Sequence, residues 1–75
     1  MDEKIVEKRI ALIKKIKEER IKKGISTYQM ADMIDMHEPN YVRAESGRQS
    51  VGIDMLLKIS NALGLEIEII DVSLK

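Results

Sequence analysis

The sequence predicts an all-α fold, a bundle of four to five helices with a short C-terminal β-strand. Three observations predict it. Apolar residues recur at spacings of three and four through four successive segments, the glycines at 24, 47 and 64 punctuate those segments, and the period changes to two after Gly64. The 75 residues leave room for one compact domain, 1–75, without disulfides or thiolate metal sites, since there is no Cys.

The first segment, Ile5 to Lys23, has no Gly or Pro and is dense in Lys, Glu, Ile and Leu, so it reads as a helix that Gly24 can end. Val6, Ile10, Ile13, Ile16 and Arg20 fall along one stripe of it. Ser26 is the next N-cap, opening a short helix from Thr27 to Ile34 with Met30, Ala31, Met33 and Ile34 as its apolar face. After a turn at Asp35, Pro39 suits the first turn of a third helix, Glu38 to Glu45, where a missing N–H is harmless. Residues 48–52 form a loop. A fourth helix, Ile53 to Leu63, presents Ile53, Leu56, Leu57, Ile59 and Leu63, with Gly64 just past its end. The tail from Leu65 to Val72 alternates and is rich in Ile, which predicts a strand.

Charge excludes some functions. Thirteen Lys and Arg balance thirteen Asp and Glu, so the chain is not a polycation that holds polyanions without selection. Residues 1–25 nevertheless carry nine cations against five acids, and the remainder carries the compensating acidic excess. The apolar runs are too short for a membrane span or a signal segment, and a cytoplasmic protein is expected. One His, five Ser and no Cys do not assemble a nucleophile, a base and an oxyanion donor, so no enzyme is expected, and no cofactor. Asp32, Asp35, His37 and Glu38 match no metal-ligand spacing, and His37-Glu38 lacks the second His of a zinc-protease helix. Met30, Met33, Met36 and Met55 read as adaptable core filler, and the Lys14-Lys15-Lys17 and Lys22-Lys23 runs as a solvated face.

An ordered set of short pieces carries a resemblance. Ile16 and Arg20 precede Gly24-Ile25-Ser26; Met30-Ala31 follows; then come Arg43-Ala44-Glu45-Ser46-Gly47-Arg48, Ile53 to Ile59, and Ala62-Leu63-Gly64. With these spacings residues 16–64 resemble the helix-turn-helix DNA-binding domain of the lambda-repressor and Cro family, often called the Xre family. The motif would occupy 26–45, and small residues at Ala31 and Ala44 would let its two helices cross closely. The sequence departs from the family pattern at Thr27, at Asp35 in the turn, and at Glu38-Pro39.

The resemblance implies that Glu38 to Glu45 lies in the major groove. Candidate base readers are then His37, Glu38, Asn40 and Arg43: Arg43 bidentate to guanine, Asn40 to adenine, Glu38 accepting from cytosine. Thr27, Tyr28, Arg48 and Gln49 would lie near phosphate. It also implies that Arg20 and Glu45 form a structural ion pair and that Tyr41 is core. The expected partner is double-stranded DNA with an inverted-repeat operator, and the unpaired strand over 65–72 predicts a homodimer closed through Leu65, Ile67 and Ile69. The end of the chain, Ala62 to Ile70, also resembles HipB-type antitoxins, which bind a toxin and repress their own operon. A protein-interaction module that has lost DNA binding is the reading from another class.

Overall fold

The computed structural model describes residues 2–74, and among them the regular elements are helical: α1 (Glu3–Lys22), α2 (Thr27–Met33), α3 (Glu38–Glu45), α4 (Ile53–Ala62) and a single 3₁₀ turn at Val72–Leu74. Helix α1 is about 30 Å long by its rise per residue and packs on α3, while α2 packs on both α3 and α4. Asp2 caps it by accepting from the Lys4 N–H at 2.9 Å. Ser26 and Gln29 form a reciprocal capping box on α2, with the Gln29 N–H to Ser26 Oγ at 3.0 Å and the Ser26 N–H to Gln29 Oε1 at 2.9 Å.

Three helix ends share one device. After α1, α2 and α4 the chain makes paired bonds back into the last turn: Ile25 N–H to Arg20 O at 3.1 Å, Met36 N–H to Ala31 O at 2.8 Å, and Leu65 N–H to Ser60 O at 2.8 Å. Two of these ends carry a glycine at the reversing position, but the turn between α2 and α3 carries Asp35, at φ 55°. The short Asp side chain tolerates this left-handed conformation better than most residues, at a small penalty relative to Gly. The departure from the family pattern noted at Asp35 is therefore a backbone matter.

The core joins Ile13 and Ile16 of α1, Met30, Ala31 and Ile34 around α2, Tyr41 of α3, and Ile59 and Leu63 at α4. Ile25, Met36, Val51, Met55, Leu56 and Leu65 pack around it. The apolar stripes are narrower than expected from sequence. Ile10, Met33, Ile53 and Leu57 are exposed, because in so small a body a helix finds partners along only part of its apolar edge. Met33 is accordingly a surface residue rather than core filler.

The predicted C-terminal strand does not form. Residues 65–71 carry no regular hydrogen bonding; Leu65 packs against the core, but Ile67, Ile69 and Ile70 stand exposed, Ile69 at 97%. The physical reason is that a strand's bonds lie between strands, and among the described residues there is no second strand for this segment to pair with. Among the described residues no helix is long and apolar enough to cross a membrane.

Candidate nucleic-acid interface

The orientation of α3 is fixed from beneath. Arg20, on the buried face of α1, donates through Nε to Glu45 Oε2 and through Nη2 to Glu45 Oε1, both at 2.8 Å, and through Nη1 to the Ile25 carbonyl at 2.6 Å. The Tyr41 hydroxyl, one turn back on α3, donates to the same Glu45 carboxylate. The two charged side chains are only 9% and 6% exposed, yet among the described residues no buried side-chain N or O lacks a partner. Burial alone would raise the Glu45 pKa, but the bonds from Arg20 and Tyr41 and the charges of Arg20 and Lys17 outweigh it and hold the carboxyl below its usual range. The bond to Glu45, working against desolvation, raises Arg20 further, and burial followed by the Glu45 contact pushes the Tyr41 phenol well up.

With Tyr41 and Ala44 turned inward, the opposite face of α3 presents Pro39, Asn40, Val42 and Arg43, all exposed. Arg43 Nη1 lies 3.4 Å from Asn40 Oδ1, a long contact between two side chains that point to solvent. His37 is the N-cap residue of α3 and is exposed, but its ring makes no capping bond. Beyond α3 the chain reverses at Gly47, where φ is 74°, and carries Arg48 and Gln49 into an exposed loop. Tyr28, 67% exposed at the start of α2, joins His37, Glu38 and Pro39 around an open cleft of about 460 Å³ between the two helices.

Asn40, Arg43, His37, Tyr28, Arg48 and Gln49 are thus exposed around one helix and its flanks. Thr27 and Glu38 stand differently: Thr27 Oγ1 donates to Glu38 Oε2 at 2.7 Å, half-buried, tying the start of α2 to the start of α3. The hydroxyl proton is committed to the carboxylate, so neither group is as free as a base or phosphate contact requires. The charge balance also changes. Of the acids between residues 26 and 47, Glu45 is neutralised by Arg20, leaving Asp32, Asp35 and Glu38 beside the cations Arg43 and Arg48. Among the described residues no group of three acids or imidazoles is placed to hold a metal ion. The sequence reading missed Val42, whose outward direction follows from its place three residues after exposed Pro39, and it missed Arg9, which reaches the Gly47 carbonyl at 3.0 Å.

Two short helices joined by a tight left-handed turn, the second locked from below and bare on its outer face, define a helix-turn-helix DNA-binding unit. A family model described as helix-turn-helix matches residues 16–70, and the chain belongs to that family, of the lambda-repressor and Cro type. It is a DNA-binding regulator in the general sense that family defines. No curated protein and no solved structure matches the chain.

Proposed function

We propose that the chain is a small homodimeric repressor that acts in the cytoplasm and binds duplex DNA sequence-specifically at an inverted repeat. The observation that carries this reading is the division of α3: Tyr41, Ala44 and Glu45 hold the helix to the body, while Asn40 and Arg43 project from its far side. In this reading Arg43 bonds guanine O6 and N7 and Asn40 pairs with adenine. His37 enters the groove at the start of the helix, while Tyr28, Arg48 and Gln49 meet phosphate. Glu38 reaches cytosine, and Thr27 a phosphate, only by giving up the bond between them.

Dimerisation rests on the tail. Leu65 anchors it to the body, and exposed Ile67 and Ile69 are available to a second copy, whose own tail would supply the missing antiparallel strand partner. Two recognition helices on one two-fold axis would then stand roughly 34 Å apart, one turn of DNA. The same exposed tail, with Ile70 and Val72, favours a second reading, a HipB-like antitoxin that offers this surface to a toxin. A toxin gene beside this one discriminates the two.

Selection of bound sites from a random duplex library at two salt concentrations tests the proposal. The expected result is an enriched inverted repeat whose affinity falls with salt. Failure to retain any duplex at low salt refutes it and favours an interaction module without DNA binding.

A further inference from the structure

Gly47 is buried although Ser46, Arg48 and Gln49 around it are exposed, and what covers it is the first half of α1. A Cβ built at Gly47 would sit 3.4 Å from Ile10 Cγ1 and 3.5 Å from Ile10 Cα, so the α1 backbone passes directly over this point. One residue earlier on α1, Arg9 Nε donates to the Gly47 carbonyl at 3.0 Å, a half-buried bond across 38 positions of sequence. The far end of the loop that starts here is anchored by Val51 against the core, but the Arg48 end has few bonds of its own. Ser46 Oγ donates to the Arg43 carbonyl at 2.6 Å, and the Arg48 N–H reaches Ser46 Oγ at a long 3.3 Å. Residues 50–52 carry no regular structure before α4 begins. The family match starts at residue 16, so Arg9 and Ile10 belong to a part of α1 that precedes it.

We infer that Arg9 is a positioning residue for DNA binding: its bond to the Gly47 carbonyl, with Ile10 packed on Gly47, holds the loop so that Arg48 stands at the phosphate backbone. This rests on the proposed DNA binding and deepens it. The role of Arg9 is placement of the loop rather than contact with phosphate: the bond is charge-assisted, since Nε is part of the guanidinium, but its acceptor is a backbone carbonyl. Freed of that bond, the 48–52 loop settles where Arg48 does not reach the phosphate, because ordering the loop on the duplex costs more than that one exposed contact returns, so the contact is lost from the complex. Gln is the informative replacement, since its Nε2 lies the same number of bonds from Cα as the Arg Nε and keeps a donor there without the charge.

The test measures affinity for the selected duplex as a function of salt in the full chain, for wild type, R9A, R9Q, R48A and R9A/R48A, at a temperature where circular dichroism shows each folded. R48A is expected to lower the salt slope by about one. R9A is expected to reproduce that loss with about a tenfold or smaller fall in affinity, R9A/R48A to match R48A alone, and R9Q to keep the wild-type slope. An unchanged slope in R9A overturns the inference. So does a slope lowered by about two in the double variant, or R9Q behaving as R9A, since either makes Arg9 itself a phosphate contact. If R9A does not fold, R9Q decides: a slope equal to wild type supports the brace, and a slope reduced by one refutes it. Absence of duplex binding by the wild-type chain instead refutes the proposed function, and this inference falls with it.

Discussion

Removing Glu45 should unfold much of what holds α3 in place. Glu45 accepts two bonds from Arg20 at 2.8 Å and one from Tyr41, with both charged side chains less than 10% exposed. In E45A the guanidinium stays under α3 with the Ile25 carbonyl but loses its counter-charge, and Tyr41 loses its acceptor. Breaking a fully buried pair costs about 3–5 kcal/mol. The residual exposure and the surviving bond to Ile25 place this case near the lower end, about 3 kcal/mol. A chain of 75 residues has a total stability of roughly 4–11 kcal/mol, so the midpoint of thermal unfolding should fall by about 12–24 °C. R20A should behave alike, and R20A/E45A should lose less than the sum of the two by about 1–3 kcal/mol. The pH dependence has a definite sign. Because the folded carboxyl titrates below its usual value, Glu45 adds stability above about pH 4.5, and that contribution disappears as pH falls through the folded-state pKa. E45Q should therefore show a flatter acid limb than wild type. Thermal melts by circular dichroism from pH 3 to 7 measure all of this. Strict additivity of R20A and E45A, or an acid limb in E45Q as steep as wild type, would refute the reasoning.

R43A should relax selection at one base pair by about 1–3 kcal/mol while R48A weakens all duplexes alike; an unchanged selected site in R43A refutes the assignment. D35G should stabilise the fold by up to about 1 kcal/mol, since Asp35 sits at φ 55° where Gly meets no Cβ penalty, whereas D35V should destabilise it by more; urea unfolding midpoints compare them. Deleting residues 66–75 should leave a folded monomer with weakened affinity for an inverted repeat. Light scattering that finds the truncated chain dimeric, or the full chain monomeric at micromolar concentration, removes the tail from the interface.

The helices were legible because their signals are local. Ser26 as a cap, Pro39 in a first turn and the glycines past α1 and α4 lie within a few residues of the ends they set, and α3 runs over the span its sequence predicts. The Arg20–Glu45 pair, 25 positions apart, was legible only through resemblance, since no local rule links those residues. Burial was less legible. Helical spacing places Ile10 and Met33 on apolar stripes, but how wide a stripe is covered depends on neighbours that periodicity does not describe. Thr27 and Glu38 were read as separate contacts, and their bond depends on the angle between α2 and α3. The tail failed for another reason: alternation gives the capacity to pair, whereas pairing needs a second strand, and none is present among the described residues.

The arrangement around Arg20 separates two kinds of mutational freedom. A single guanidinium ties α1, the 24–25 turn and the end of α3 together through groups that all face inward. The outward set, Pro39, Asn40, Val42 and Arg43, contributes nothing to that knot, and the side-chain contact within it joins Asn40 to Arg43. Asn40, Val42 and Arg43 can therefore be rewritten without renegotiating the frame, whereas Pro39 also sets the start of the helix; under the proposed base reading, a new operator preference would be transplanted by exchanging surface letters on one helix. Substitutions at Arg20, Tyr41 or Glu45 have no such latitude, because each alters the platform on which any preference would be displayed.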